Sequence, residues 1–376
     1  MYVLLTGAKK NAGDFLIAHA AKHLFEKFAP DPDYMELPSW LPIDDQLDVV
    51  NSAKALVLCG GPAYQQGIGK RIYPILPALD RIRVPIISFG LGWKGIPGDA
   101  YDVKYYWLPP SAQPLLDRLR GDFKYAGCRD YLTWWVLRRH GFENAWMTGC
   151  PCWYDPDHFG HGLVVPSRVS QVVFTPAEQP VFREQSVAMM KVVRDVFPEA
   201  RIVCSFHRGW QVDAYTKRQN AETARYIRCQ AEKLGVEPLD VSGSVDGVLG
   251  YEKFDIHVGY RVHAHLKMLS MRKPSFLIME DGRGRGSLEA MGLAGVSGWK
   301  TPLPLSLCNR WLRHHSVRRA SRIIFRRFSV NQQAAEQLRS LIIEEMRNNF
   351  SRFNGALAVI DATWSRMHAM LRALPH

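Results

Sequence analysis

Short apolar runs recur through the first part of the chain, and most of them end in glycine. Tyr2-Val3-Leu4-Leu5-Thr6 reads as a buried strand. Residues 14–28 carry apolar positions at Phe15, Leu16, Ala18, Leu24, Phe25 and Phe28, which is helical spacing. Ala55–Cys59 runs into Gly60-Gly61-Pro62, and Val84–Phe89 into Gly90-Leu91-Gly92. Tyr125–Cys128 precedes a helical stretch over 130–140, and Trp146-Met147-Thr148-Gly149 closes the series. Strands that end in glycine and give way to helices predict a parallel sheet flanked by helices. Ligands of such sheets sit beyond the carboxyl ends of the strands.

The pattern lapses over Asp155-Pro156-Asp157-His158-Phe159-Gly160-His161-Gly162 and then restarts. Strands are expected at 171–175, 201–206, 255–258 and 275–279, with helices at 183–197, 213–234 and 263–272. The spacing divides the chain into a first Rossmann-like domain (1–153), a linker (154–168), a second Rossmann-like domain (169–298) and a tail (299–376) whose part from Asn331 is helical. A length of 376 residues suits two domains.

Composition narrows the class. No apolar run approaches the roughly 20 residues of a membrane-spanning helix, and Gly7 and Lys9-Lys10-Asn11 end the first apolar run too soon for a signal peptide. Seven scattered cysteines, odd in number, point to a reduced, cytoplasmic protein. Cys150-Pro151-Cys152, the one close pair, reads as buried small residues beside a strand end. The net charge of +12 is concentrated over 299–328 (Lys300, Arg310, Arg313, Arg318, Arg319, Arg322, Arg326, Arg327), where Trp311, Ile323, Ile324, Phe325 and Phe328 interleave. That segment is either a solvated basic face or an amphipathic element docking on an anionic membrane. No nucleic-acid-binding module is visible.

The candidate chemistry lies at strand ends. Gly259-Tyr260-Arg261-Val262-His263-Ala264-His265 follows the strand at 255–258, so an arginine and a histidine stand at a helix N-terminus, which favours anions. Arg261 supplies a fork of donors, and His263 a proton near neutral pH. His263 and His265 are two apart and do not share a helical face, and no carboxylate cluster completes a ligand set, so no metal is expected. In Asn11-Ala12-Gly13-Asp14, Asp14 can cap the first helix, and the loop is either a plain turn or a ligand loop. Cys128-Arg129-Asp130 places Arg129 at the sheet edge, facing the cleft or paired within its own domain. Arg208, after Phe206-His207, reaches the same cleft or lies on the surface. Glu280-Asp281-Gly282-Arg283-Gly284-Arg285-Gly286-Ser287 reads as a flexible basic or anion-binding loop before a helix capped by Ser287. No dinucleotide fingerprint or phosphate-binding loop with lysine is present.

Taken in order, Asn11-Ala12-Gly13-Asp14, Gly60-Gly61, Arg129-Asp130 with Thr133, Leu137, Gly141, Thr148-Gly149-Cys150-Pro151 and Gly259-Tyr260-Arg261-Val262-His263-Ala264 resemble the polysaccharide pyruvyl transferase family over roughly residues 1–290. The resemblance implies an α/β fold of two Rossmann-like domains facing a cleft (GT-B-like). It implies transfer of pyruvate from phosphoenolpyruvate onto two hydroxyls of a sugar in a cell-surface polysaccharide or its lipid-linked precursor, with no cofactor beyond that co-substrate. Carried onto this chain, it makes His263 and Arg261 catalytic. It makes Arg261 and Arg129 donor-binding; Arg208, from its place at a strand end, and Arg283 and Arg285, in place of the family's lysine, are expected as further donor contacts, and Asn11, Asp14, Gly60 and Gly61 are expected on the acceptor side. The family tends to carry Asp and Lys where this chain has Glu280 to Arg285, and a triple glycine where it has Gly60-Gly61-Pro62. A competing reading is a glycosyltransferase of the same architecture using a nucleotide sugar, with Glu252 or Asp281 as its carboxylate. A third is a non-catalytic binding module, against which the retention of both Arg261 and His263 argues.

Overall fold

The computed structural model describes residues 1–300 and 329–376. The first sheet comprises β1 (Tyr2–Thr6), β2 (Tyr34–Pro38), β3 (Leu56–Cys59) and β4 (Ile86–Phe89) in the order β2-β1-β3-β4, all parallel. A bridge between Leu91 and Cys128 continues it into the parallel pair β5 (Ala126–Cys128) and β6 (Ala145–Met147). Its helices are α1 (Ala12–Phe28), α2 (Leu47–Ser52), α3 (Ala100–Tyr105), α4 (Gln113–Gly121) and α5 (Tyr131–Arg139). β1, β3 and β4 are buried along their whole length, as near-continuous apolar strands of a helix-covered parallel sheet must be.

The second sheet is also parallel. Its strands are β7 (Gln171–Thr175), β8 (Arg201–Phe206), β9 (Glu237–Asp240), β10 (Ile256–Gly259), β11 (Ser275–Met279) and β12 (Val296–Ser297), in the order β12-β11-β10-β7-β8-β9. Around it stand α6 (Arg183–Val196), α7 (Arg218–Lys233), α8 (Asp246–Leu249), α9 (Val262–Ser270) and α10 (Gly282–Met291). A two-residue ladder of β13 (Trp299–Lys300) and β14 (Ser329–Val330) leads to α11 (Ala334–Arg347) and α12 (Arg352–Arg372). Except for its first two residues, the basic segment 299–328 lies outside the described residues.

Three expectations need correction. β2 and β9 were not legible because edge strands are partly exposed and lack an apolar run. α7 starts at Arg218 rather than 213, because the Asp213 carboxylate accepts from the Tyr215 and Thr216 amides and pairs with Lys10 across the cleft at 3.0 Å. The run 282–287 is not a loop but the first turns of α10, capped by Asp281 and not Ser287. Glycine is needed there for space. A Cβ on Gly286 would lie 2.6 Å from the Asp130 carboxyl carbon, and one on Gly98 would strike the Gly282 backbone.

The tail returns to the first domain. α12 sets Trp364 edge-on to Phe28 at 4.8 Å, and Tyr2 donates to the Pro375 carbonyl at 2.6 Å. Met370 covers Gly127 of β5, where a Cβ would lie 2.6 Å from its sulfur. Arg272, at the end of α9 and 1% exposed, donates to Asp361 of α12 at 2.6 Å and to the His158 carbonyl of the crossing segment at 2.7 Å. No helix among the described residues is long and apolar enough to cross a membrane. Because Asp361→Ala leaves the buried guanidinium of Arg272 without its counter-charge, it is expected to cost about 3 kcal/mol in urea denaturation. A change of less than about 0.5 kcal/mol, as for an ordinary surface position, would show that the pair does not hold the tail.

Candidate active site

β10 and β11 are neighbours near the middle of the second sheet, and both end at the cleft. Gly259 closes β10 at φ +150°, where a Cβ would strike the Thr175 backbone, so only glycine lets the chain turn there. Arg261 then stands at the N-cap of α9, but its side chain does not cap the helix. Its guanidinium donates to Asn11 Oδ1 of the first domain at 2.7 Å and pairs with Glu178 Oε1 at 2.8 Å. Arg208 Nε meets the same Glu178 oxygen at 3.0 Å. Burial pushes the Glu178 carboxyl up, but the two guanidinium groups override it and hold it below the usual range.

His263 lies in the first turn of α9, 7% exposed, against the N-terminus of α1. A Cβ on Gly13 would sit 2.6 Å from its Nδ1, so the glycine makes room for the ring. Asn11, not Asp14, caps α1 by accepting from the Gly13 amide at 3.4 Å. The Ala12 amide donates to the His207 carbonyl at 2.9 Å, which locks this helix end to the second domain. The Nε2 of His263 is buried with no hydrogen-bond partner. Cys150 and Cys152, just after β6, bring their sulfurs to within 4.8 Å of its ring and of each other. The Cys152 thiol, and then the imidazole, hold the Cys150 thiol below the ordinary thiol range despite burial. Two thiols and an imidazole have the donor types a soft cation accepts, and they equally form a thiol–imidazole cluster. His265 points into the core, with Nδ1 2.8 Å from Ser275 Oγ, and burial pushes it down to about 3.

The remaining arginines are engaged within their own domains. Arg129 is 4% exposed, donates to the Trp93 carbonyl at 3.0 Å and pairs with Asp130 at 3.3 Å, while its Nη1 finds no partner. Arg283 forks onto Asp281 at 2.7–3.0 Å, and Arg285 leans toward Glu289 at 3.7 Å. Asp14, Gly60 and Gly61 line a cavity of about 230 Å³ with Lys9, Trp40, Arg71 and Tyr73. Asn11 does not line it, being held by Arg261. A second cavity of about 580 Å³, sharing Gln65, Arg71 and Ile72 with the first, extends to Lys94, Gly95 and Tyr106. Glu178 and Lys94 stand in no sequence motif and were not among the expected site residues. Cys150 and Cys152, expected only as buried small residues beside a strand end, gain a third neighbour in His263, more than a hundred positions away in sequence.

Glu280 follows β11 directly. It is 6% exposed, its Oε1 has no partner, and its backbone carbonyl accepts from Trp299 Nε1 at 2.7 Å. Burial raises its carboxyl to about 7; Asp281 and Glu178 add to this, while Arg261 and Arg283 oppose it.

A family model described as polysaccharide pyruvyl transferase matches residues 11–282. A search of curated protein sequences gives no match. Among solved structures, S. aureus MnaA with UDP is similar at TM-score 0.54 and 13% identity, covering 97% of this chain and 94% of its own. The Neisseria meningitidis UDP-GlcNAc 2-epimerase bound to UDP-GlcNAc is similar at 0.54 and 9%, covering 99% and 100%. Anabaena HepE with UDP and glucose is similar at 0.50 and 10%, covering 98% and 97%. These likenesses establish a GT-B-like α/β fold.

The raised carboxyl of Glu280 has a consequence for stability. A folded-state value near 7 against 4.5 unfolded means that its contribution is complete below pH 4.5 and is lost as pH rises through 7. Glu280→Gln is therefore expected to stabilise the protein at pH 8 by about 3 kcal/mol, with the gain shrinking toward pH 5. An equal effect at both pH values in denaturant titrations would contradict this.

Proposed function

The chain belongs to the polysaccharide pyruvyl transferase family, and on that premise we propose that it transfers pyruvate from phosphoenolpyruvate onto two hydroxyls of a sugar to form a cyclic ketal. The observation that carries this reading is the meeting of Arg261 and His263 at the N-terminus of α1, with Arg208 on the Glu178 carboxylate that Arg261 also holds. Phosphoenolpyruvate bears a phosphate and a carboxylate. Glu178 is a carboxylate already gripped by two arginines, which is the way an incoming anionic group would be held. His263 as imidazolium protonates the methylene carbon and makes C2 electrophilic. A sugar hydroxyl adds to C2, phosphate leaves toward the arginines, and the second hydroxyl closes the ketal. The adjoining cavities with Trp40 and Arg71 suit a saccharide acceptor, including one carried on a lipid. Cavity residues of that kind combine an apolar face with a few polar contacts.

One observation favours a second reading. Full-length structural relatives have been solved with UDP or a UDP-sugar, so a nucleotide-sugar donor is the competitor. Thermal shift separates the two, because a ligand of the native state raises the melting temperature by mass action. Phosphoenolpyruvate is expected to stabilise the wild type and to fail with Arg261→Ala. Stabilisation by UDP-sugars alone would overturn the pyruvyl reading. His263→Ala is expected to keep phosphoenolpyruvate binding and to lower turnover by at least about 100-fold; unchanged turnover would remove the histidine from the mechanism.

A further inference from the structure

Ketal formation moves more protons than His263 alone can carry. The methylene carbon gains one proton, and two hydroxyls lose one each. His263 gives the first and can recover one; the other ends on the departing phosphate, and a protein base can carry it there from the first hydroxyl as that hydroxyl attacks. Among the carboxylates that gather at the cleft edge of the second domain, Glu178 is held by Arg261 and Arg208. Asp281 is held by the fork of Arg283 and by the cap of α10, so that despite burial it too stays below the usual range. Both are thus ion-paired to arginines and held below the usual carboxylate range, which makes them weak bases.

Resting on the pyruvyl-transfer reading, we propose that Glu280 is the catalytic base that accepts the proton of an acceptor hydroxyl as that hydroxyl attacks C2 of the donor. Three observations carry it. Glu280 is the first residue beyond β11, next to the strand that delivers Arg261, so it stands at the carboxyl edge where ligands bind. It is buried to 6% exposure with Oε1 unpartnered, a state that costs free energy and is kept where a substrate supplies the missing partner. Its main chain is pinned by Trp299 Nε1 at 2.7 Å, and Trp299 packs edge-on against Phe182 at 4.6 Å, so the carboxyl is carried on a fixed support.

The charged and titratable groups around it come from every neighbouring element. Tyr260 and Arg261 follow β10, Asp281 and Arg283 begin α10, Glu178 lies on the segment after β7, and Lys94 reaches over from the first domain. Burial and the two carboxylates bring Glu280 to about 7, close to neutral, where a base is most effective. Glu178 and Glu280, both under the influence of Arg261, are thus driven in opposite directions.

The step balances. The C3–H bond forms with the proton of His263 and the enol electron pair. The hydroxyl oxygen bonds to C2 and its proton goes to Glu280. The C2–O bond to phosphate breaks with its pair on the leaving oxygen, which takes the proton from Glu280. The second hydroxyl then bonds to C2 and its proton returns to His263. Phosphoenolpyruvate and a diol become a pyruvate ketal and hydrogen phosphate, and both residues end as they began.

The test is phosphate release from phosphoenolpyruvate by the full chain, across pH. Methyl galactoside, methyl glucoside and N-acetylmannosamine serve as acceptors, and water as the fallback nucleophile. Glu280→Gln, Glu280→Asp and Asp14→Asn are run beside the wild type. In Glu280→Gln, kcat is expected to fall by about 100-fold and the acidic limb of the profile to flatten. The KM for phosphoenolpyruvate should stay within about threefold, and Glu280→Asp should recover part of the rate. A Gln variant that keeps the rate and the limb, a loss confined to KM, or an acidic limb that disappears in Asp14→Asn instead overturns the assignment. Wild-type protein that neither is stabilised by phosphoenolpyruvate nor releases phosphate from it overturns the pyruvyl reading, and the base with it.

Discussion

Arg261 must find acceptors on both sides of the cleft, and much of the site follows from that requirement. Its side chain is only 12% exposed, so the guanidinium cannot rely on water. Glu178 supplies the charge from its own domain and Asn11 the neutral acceptor from the other. Asn11 can do this because the same oxygen caps α1, and α1 then presents its N-terminus to His263 across Gly13. Further links between the domains follow the same line: Ala12 to the His207 carbonyl and Gly243 to the Lys10 carbonyl, each at 2.9 Å.

The cleft separates its carboxylates by environment rather than by residue type. Glu178 lies between two arginines and stays ionised; Glu280 lacks a partner for one oxygen and is pushed toward neutrality. His263 and His265 divide in the same way. One ring borders the other domain and two thiols, while the other is locked on Ser275 in the core and kept neutral. The architecture is shared with the Neisseria meningitidis UDP-GlcNAc 2-epimerase at 9% sequence identity, so the fold does not decide the chemistry. The residues at the strand ends do.

Glycine marks the places where backbone from one domain meets the other. Gly13 admits the His263 ring, Gly98 and Gly282 face each other, and Gly286 rests on Asp130. This explains why a run of glycines and arginines, which by propensity suits a loop, forms the start of α10. Asp281 caps the helix and its fork to Arg283 fixes the first turn. The interdomain contact then offsets the low helix propensity of glycine.

The order of strands, glycines and helices was legible because buried parallel strands leave apolar runs and βα turns leave glycines, and those signals are local. The two helix-flanked parallel sheets and the separation of His263 from His265 followed from spacing along the chain, and the family and its GT-B-like arrangement from the resemblance of the ordered motifs. The edge strands β2 and β9, the late start of α7 and the helical state of 282–287 did not. Edge exposure, an Asx turn and contact with the other domain set them, and none of these writes a period into the sequence. The environment of the site was the least legible. Glu178 between Arg208 and Arg261, Arg129 turned onto Trp93 and Asp130, Cys150 and Cys152 beside His263, and the unpartnered Glu280 arise from residues far apart in sequence. Residue types and spacing determine which groups are available for chemistry. Only the packing of two domains decides which of them are buried, which are paired, and therefore which can carry a proton or hold an anion.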